Sequence, residues 1–264
     1  MPVTIHAQTR HADEKEFAHV VYDVMGHIFA VRKEFGRFFD ENIYHREVAR
    51  RSGGLMRVPV EVAHGDFSKV YFLDLLVGGS AIFELKVAES LTPRHRSQLL
   101  QYLMLADLSR GKLVNLRPAS VEHEFVNSKL SRVERQQFIV IDEEWDADDV
   151  SATQLSGQIV QVLRDLGTGL DVGLYEEILT HFLGGERAVL QDVEIFSDGV
   201  LVGHHPAHLA NPSCNFKVTA VRESDLPHTE IHLRHFLNHT SLAATHWINI
   251  RHHRLTLKTL RNGC

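Results

Sequence analysis

Residues 70–77 read Val-Tyr-Phe-Leu-Asp-Leu-Leu-Val, and residues 81–87 read Ala-Ile-Phe-Glu-Leu-Lys-Val. Both runs have the composition of buried strands, and the Gly-Gly-Ser between them predicts a turn that folds one onto the other. Glu84 and Lys86 are two residues apart, so they share one strand face, and the turn brings Asp74 to that face. Because buried charges are costly unless they pair or bind a metal, the hairpin indicates a site for a hard divalent cation and an activated water.

The composition is that of a globular protein large enough for one or two domains. The chain has 264 residues, 44% of them hydrophobic, and no run approaches the ~18–20 apolar residues of a membrane span. The N-terminus lacks a signal-peptide pattern, and with Cys214 and Cys264 as the cysteines present we expect a reducing, cytoplasmic location. The net charge of −6 argues against a general nucleic-acid binder, although the first 120 residues have a slight excess of basic residues.

Apolar periodicity predicts an alternation of helices and strands. We expect helices over about 15–35, 40–51 and 93–108, and strands near 57–63, 69–77, 80–87, 112–117 and 137–141. The acidic residues 142–149 lack periodicity, which favours a linker. The predicted organisation is a first domain over 1–141, a linker over 142–152 and a second domain over 153–264.

The second half repeats the pattern of the first. Residues 158–167 are similar to residues 27–36, and Tyr175 follows Tyr44 at an offset of 131. Pro227 follows Pro93, and Asn249 follows Asn115, both at an offset of 134. A constant offset over about 25 residues favours an internal duplication.

The charged residues of the first half are not repeated. At these offsets the second half has Val172 for Glu41, His208 for Asp74, Val218 for Glu84, Ala220 for Lys86 and His232 for Gln98. We therefore expect a second domain that keeps the core pattern and serves as a structural partner without the ligand set.

Residues 20–120 resemble the GxxExxY family of the PD-(D/E)XK nuclease superfamily. The motif that names the family matches Glu41-Asn-Ile-Tyr44, and its Asp and Glu-x-Lys elements match Asp74 and Glu84-Leu-Lys86. Its Gln-x-x-x-Tyr helix matches Gln98-Leu-Leu-Gln-Tyr102. One departure is Phe38, which replaces the motif glycine three residues before Glu41.

The resemblance implies an α/β fold with a restriction-endonuclease-like core, a central mixed sheet flanked by helices, duplicated in tandem. It implies that Asp74, Glu84 and the backbone carbonyl of Leu85 bind Mg²⁺ or Mn²⁺, with Glu41 on the metal or on a nearby water. Lys86 would orient or deprotonate the attacking water. Gln98 would position water or a phosphate oxygen, and Tyr102 would pack or contact the substrate. The implied activity is metal-dependent hydrolysis of DNA or RNA.

Other interpretations stay open at this point. The charged strand pair also fits a buried ion pair in a non-catalytic module that binds nucleic acid or protein. Basic residues near the site are either phosphate contacts or solvated helix faces: Arg50, Arg51, Arg94 and Arg96. Histidines at helical spacing, with one further histidine before them, predict either a zinc site or an exposed face: His208, His228, His232 and His235. A homodimer is also compatible with the sequence.

Overall fold

A computed structural model describes residues 2–262, and its chain forms two compact units, unit 1 (Met1–Arg132) and unit 2 (Val133–Cys264). Within the described range, each unit contains one six-stranded mixed sheet with helices packed on it. The predicted α/β fold class, a central mixed sheet flanked by helices, is thereby confirmed. None of the described helices is long and apolar enough to cross a membrane.

Unit 1 has three helices of two turns or more and a sheet in the order β1-β2-β3-β4-β5-β6. Its elements are β1 (Val3–Ile5), α1 (Glu14–Phe35), α2 (Glu41–Ser52), β2 (Leu55–His64), β3 (Phe67–Val77), β4 (Ala81–Lys86), α3 (Pro93–Ala106), β5 (Arg110–Asn115) and β6 (Glu122–Asn127). Strands β4 and β5 are parallel, and α3 provides the crossover that a parallel pair requires. The other neighbouring pairs are antiparallel.

Local signals explain where the helices of unit 1 begin and end. Asp13 caps α1 by accepting a hydrogen bond from the Glu16 N–H, and Gly36 ends that helix with a φ of 73°. Thr92 caps α3, whose first residue is Pro93. The apolar faces of α1 and α2 pack on one face of β3 and β4 in a buried core. This packing leaves the opposite strand face, with Asp74 and Glu84, toward α3.

Unit 2 begins within a short helix and contains a sheet in the order β7-β12-β11-β10-β9-β8. Its elements are α4 (Arg132–Arg135), β7 (Ile139–Glu144), α5 (Val150–Leu166), α6 (Val172–Phe182), α7 (Glu186–Val189), β8 (Leu190–Ser197), β9 (Val200–Asn211), β10 (Cys214–Thr219), α8 (Leu226–Asn238), β11 (Ala244–Arg251) and β12 (Arg254–Arg261). Apart from β1, β7 and the short helices α4 and α7, both units follow the series helix, helix, three strands, helix, two strands. The sequence offset predicted this correspondence.

The division between the units falls between Arg132 and Val133, before the predicted boundary at residue 141. The acidic stretch is not an extended linker, because its first residues complete β7 and α5 already begins at Val150. Strand β7 pairs in parallel with β12, for example Val140 with Leu255. Pairing with a strand distant in the sequence is not visible in local composition.

The offset between the units also differs from the predicted value in one strand. Lys86 pairs with Asn115 across β4 and β5, whereas Thr219 pairs with Asn249 across β10 and β11. The offset in this strand is therefore 133, so Thr219 corresponds to Lys86 and Lys217 corresponds to Glu84. The predicted equivalents Val218 and Ala220 are wrong, because one residue more separates β10 from β11 than separates β4 from β5.

Candidate active site

The candidate site of unit 1 forms where two neighbouring strands separate. The ladder between β3 and β4 runs from Val77–Ala81 to Leu75–Phe83. At the next residue the Asp74 carboxylate takes the place of a backbone partner, because its Oδ2 accepts a hydrogen bond from the Leu85 N–H at 3.2 Å. This hydrogen bond holds the Asp74 side chain beside Glu84, Leu85 and Lys86 of β4.

Glu84 and Lys86 lie on the same face of β4, as their spacing predicts. The Lys86 Nζ lies 2.5 Å from Glu84 Oε1 and 3.5 Å from Asp74 Oδ2. Glu84 is fully buried, and in residues 2–262 neither of its carboxylate oxygens has a partner with hydrogen-bond geometry. A buried carboxylate that depends on one ammonium contact retains unused capacity to bind a cation.

Burial is the largest influence on the pKa values of Glu84 and Lys86. Burial and the neighbouring Asp74 charge raise the pKa of Glu84 to about 8, against the opposing effect of Lys86. Burial disfavours the charge on Lys86, but the carboxylates of Glu84 and Asp74 outweigh it and raise the pKa of Lys86. Lys86 is therefore an ammonium group at neutral pH, and Glu84 has a strong tendency to take up a proton.

Helix α2 adds two further polar side chains from the other side of the strand opening. Glu41, at the first position of α2, accepts a hydrogen bond from the Val87 N–H at 3.2 Å through Oε2. The buried His45 places Nε2 3.0 Å from the Leu85 carbonyl oxygen, 3.9 Å from Glu41 Oε1 and 4.0 Å from Asp74 Oδ2. His45 was not among the residues predicted from the sequence, although it follows Glu41 by four residues and so shares its helix face.

Helix α3 contributes Gln98 and Tyr102, and Gln98 Nε2 donates a hydrogen bond to the Tyr102 hydroxyl at 3.1 Å. Burial raises the pKa of Tyr102, and the nearby Glu84 and Asp74 charges add to the shift. The Tyr102 ring contacts Tyr71 edge to face, with centroids 6.4 Å apart. The Tyr102 hydroxyl is thus a neutral group at the border of the acidic cluster.

The donor set fits a hard divalent cation. It offers carboxylates from Glu41, Asp74 and Glu84 and the Leu85 carbonyl, the oxygen ligands that Mg²⁺ and Mn²⁺ prefer. The buried Glu84 oxygens without hydrogen bonds indicate where such a charge would be accommodated. Lys86 contacts both Asp74 and Glu84, so a bound cation would share these oxygens with the ammonium group.

Most of the basic residues proposed as phosphate contacts are already paired. Arg50 and Arg51 bond to Glu47, with the closest contacts at 2.7 and 2.6 Å. Arg96 forms a bidentate pair with Glu124 across α3 and β6. Arg94 is exposed on the first turn of α3. The three paired arginines are therefore better explained as surface ion pairs than as a prepared phosphate site, because their charges are satisfied within unit 1.

The four histidines predicted as a second metal site do not converge on one point. His228 and His232 contact each other, with Nε2 atoms 3.0 Å apart, on the exposed face of α8. His208 lies on β9 against the Phe216 ring. In the described part of the chain, no three of His208, His228, His232 and His235 have ligand atoms within 4.8 Å of one another. The shared helix face was predicted correctly, but helical spacing alone does not supply the further ligand.

Unit 2 has a different polar set at the corresponding place. Lys217, which corresponds to Glu84 by strand register, forms an ion pair with Glu176 of α6 at 2.9 Å. Glu176 Oε1 also accepts a hydrogen bond from the Val218 N–H at 3.4 Å, and Val218 is the equivalent of Leu85. The arrangement contains one carboxylate and one ammonium group, whose charges neutralise each other without a metal ion.

Comparisons with known proteins support this picture of unit 1. The family model of the PD-(D/E)XK nuclease superfamily matches residues 18–127, a range that contains Glu41, His45, Asp74, Glu84, Lys86, Gln98 and Tyr102. The crystal structure of SSO0001 is similar over 46% of this chain and 61% of that chain, with 18% sequence identity and a TM-score of 0.29. No curated protein sequence matches the chain.

Proposed function

We propose that unit 1 is a divalent-metal-dependent nuclease that hydrolyses phosphodiester bonds of DNA or RNA. The observation that carries the proposal is the convergence of Asp74, Glu84 and Lys86 where β3 and β4 separate, with His45 and Glu41 beside them. The match of residues 18–127 to the PD-(D/E)XK nuclease superfamily supports it. The match to Glu41-Asn-Ile-Tyr44 further supports a GxxExxY-type unit 1, with unit 2 as a degenerate copy.

Asp74, Glu84 and the Leu85 carbonyl would hold the cation, with Glu41 completing its shell, while the His45 N–H donates to the Leu85 carbonyl. When bound, Mg²⁺ or Mn²⁺ lowers the pKa of a coordinated water and stabilises negative charge on a phosphate. The side chains are pre-positioned for this role, because Asp74 is fixed by the Leu85 N–H and Glu41 by the Val87 N–H. Fixed donors lose little conformational freedom on binding.

Lys86 has the position of the residue that orients the attacking water. Because its pKa is raised, the side chain is an ammonium group that donates hydrogen bonds, to a water or to a non-bridging phosphate oxygen. The Tyr102 hydroxyl, held by Gln98, is a neutral donor at the rim of the same cluster. These two groups would position the reactants, while the carboxylates supply the negative charge that retains the cation.

The proposal is tested by cleavage and binding assays on the full chain. Labelled DNA and RNA are incubated with Mg²⁺ or Mn²⁺, and cation binding is measured by calorimetry. We expect cleavage and binding in the wild type and the loss of both in Asp74→Asn, whose amide oxygen still accepts from the Leu85 N–H. Glu176→Gln, at the corresponding place of unit 2, is the matched control and should leave both unchanged. A wild type that neither cleaves nor binds these cations would contradict the proposal.

A second candidate is a non-catalytic module for nucleic acid or protein. The observation that favours it is the internal pairing of Arg50, Arg51 and Arg96, which leaves few free cations near the site. Cation binding by calorimetry without cleavage of either nucleic acid would support this function instead of the first.

A further inference from the structure

A separate cluster of metal-ligating side chains lies within unit 2, and it is independent of the function proposed for unit 1. Among the residues that the structure describes, one set of three His, Cys, Asp or Glu ligand atoms lies mutually within 4.8 Å: Asp149, Cys214 and His246. Asp149 caps α5, Cys214 is the first residue of β10, and His246 lies in β11. The fold thus gathers three elements that are far apart in the sequence.

His246 supplies the observation that points to a ligand. It is 1% exposed, and its Nε2 has no hydrogen-bond partner in the described part of the chain. That nitrogen lies 3.8 Å from Asp149 Oδ1, too far for a direct hydrogen bond. The other ring nitrogen, Nδ1, lies 3.3 Å from Thr259 Oγ1. If the Nδ1 N–H donates a hydrogen bond to Thr259, the Nε2 lone pair remains available to a ligand beside the Asp149 carboxylate.

Thr259 is well placed to fix this orientation of the ring. Its hydroxyl oxygen also accepts a hydrogen bond from the Asp146 N–H at 3.1 Å, and Trp145 packs on the imidazole with ring centroids 5.3 Å apart. A hydrogen bond on the non-ligating nitrogen and a fixed ring are common features of histidines that bind metals in proteins. The arrangement therefore favours Nε2 as the ligand atom.

Cys214 lies on the same sheet face as His246. It pairs with Ala244, two residues before His246, so alternation along the parallel strands places the two side chains together. Cys214 is 5% exposed, and its thiol lies 3.8 Å from the Ser213 hydroxyl. The Asp149 carboxylate uses Oδ1 for the Ala152 N–H and the Ser151 hydroxyl, which leaves Oδ2 to act as a ligand.

We propose that Asp149, Cys214 and His246 bind a zinc ion, with water in the fourth position. A thiolate, an imidazole and a carboxylate together suit Zn²⁺, whereas the oxygen-rich site of unit 1 suits a harder cation. Tetrahedral zinc places neighbouring ligand atoms about 3.3–3.8 Å apart. The ligand atoms of the three residues lie within 4.8 Å of one another, so side-chain rotations that bring them closer would complete the site. The ion would fasten the start of α5 to β10 and β11, and it would stabilise unit 2.

The experiment uses the untagged full chain with Co²⁺ as a spectroscopic substitute for zinc. Imidazole is a common metal ligand and the chain has 19 histidines, so metal uptake alone is not specific. The readout is therefore the thiolate-to-cobalt charge-transfer band, which only a cysteine ligand produces. We expect this band in the wild type and in Cys264→Ser, whose position lies outside the described residues, and its loss in Cys214→Ser. Zn²⁺ should abolish the band by displacing Co²⁺.

Asp149→Asn keeps the helix cap, since Asn and Asp cap equally well, and removes the charged ligand. We expect this variant to keep the wild-type circular dichroism and to bind Co²⁺ about 10–100-fold more weakly. Zn²⁺ should raise the Tm of the wild type but not that of Cys214→Ser. Absence of the band in the wild type, its persistence in Cys214→Ser, or undiminished affinity in Asp149→Asn would each overturn the proposal.

Discussion

Units 1 and 2 use the same hydrogen bonds at their framework positions. The Tyr44 hydroxyl donates to the Gly36 carbonyl at 2.8 Å, and the Tyr175 hydroxyl donates to the Gly167 carbonyl at 2.7 Å. Each hydroxyl also accepts a backbone N–H, from Phe39 in unit 1 and from Leu170 in unit 2. The turn after the first long helix is therefore held identically in both units.

A second framework bond is shared at the sheet. The Asn115 amide exchanges two hydrogen bonds with the backbone of Ala88, and the Asn249 amide exchanges two with the backbone of Val221. These buried bonds fix the chain where it leaves the central strand. The two tyrosines and the two asparagines are thus required by the fold of either unit, whatever else the unit does.

The units differ where unit 1 has its charged cluster. Glu84 and Lys86 of β4 are replaced by Lys217 and Thr219 of β10. Even an outer ion pair changes sign, because Arg96–Glu124 of unit 1 corresponds to Glu230–Lys258 of unit 2. The framework therefore tolerates different charges at these positions, and the Glu84 and Lys86 pair is not a condition of folding.

The largest difference in cleavage rate is expected between variants of Lys86 in β4 and of Lys217 in β10. Lys86→Met should lower metal-dependent cleavage by about 10²–10⁴-fold, because it removes the donor that orients the reacting water. Lys217→Met should leave cleavage unchanged, since Lys217 only neutralises Glu176. Single-turnover cleavage rates of both variants check this, and equal losses in the two would remove the distinction between the units.

Glu84 should make the stability of unit 1 depend on pH. Its pKa is raised from the ordinary 4.5 to about 8, so the folded state holds a proton that the unfolded state has released. The stabilisation is complete below pH 4.5 and is lost as pH rises through about 8, on the order of a few kcal/mol. Glu84→Gln should flatten this dependence in metal-free buffer.

Hydrogen exchange of unit 1 amides provides the measurement for Glu84. Trp145 and Trp247 both belong to unit 2, so tryptophan fluorescence serves as the internal control and should respond equally in wild type and Glu84→Gln. A pH dependence of unit 1 that persists unchanged in Glu84→Gln would show that another group causes it.

The shared asparagines should matter equally in the two units. Asn115→Leu and Asn249→Leu each leave a backbone N–H and C=O without partners, at a cost of about 1–3 kcal/mol of unfolding free energy. Chemical denaturation followed by hydrogen exchange in each unit checks the symmetry. A large cost in one unit with none in the other would contradict a common framework.

The smallest effect is expected at the sign-reversed ion pair. Arg96→Glu alone should lower the Tm slightly, and the double variant Arg96→Glu/Glu124→Lys should restore it, because unit 2 carries that charge order on the same elements. Cleavage should be unaffected if Arg96 is a surface partner of Glu124. A strong loss of cleavage in the double variant would return Arg96 to the substrate site.

The sequence predicted those features that local patterns encode. Helices α1, α2 and α3, strands β3 and β4, and the equivalence of Asn115 and Asn249 all follow from periodicity, turn residues and constant spacing. The edge strands β1 and β6 were missed, because three-residue and half-exposed strands have weak patterns. The one-residue difference in β10 depends on loop lengths, which composition does not reveal.

The part of the candidate site that depends on strand alternation was predicted from the sequence. Asp74, Glu84 and Lys86 meet as expected, since two residues of one strand and a hairpin partner define a face. His45 was not found because its role depends on the angle at which α2 crosses β4, a tertiary property. The pairing of Arg96 with Glu124 was likewise invisible, because the two residues come from different elements. Arg50 and Arg51, in contrast, pair with Glu47 of their own helix, a spacing of three and four residues that the sequence does contain.

The hydrogen bond between Asp74 and the Leu85 N–H gives this aspartate a structural task besides any part in chemistry. An apolar residue at position 74 would leave the Leu85 amide without its acceptor, at a cost of about 1–3 kcal/mol of unfolding free energy. In unit 2 the corresponding amide, on Val218, is satisfied by Glu176 from the neighbouring helix. The backbone at this place therefore needs an acceptor whether or not a metal binds, and the carboxylate that supplies it can come from a strand or from a helix.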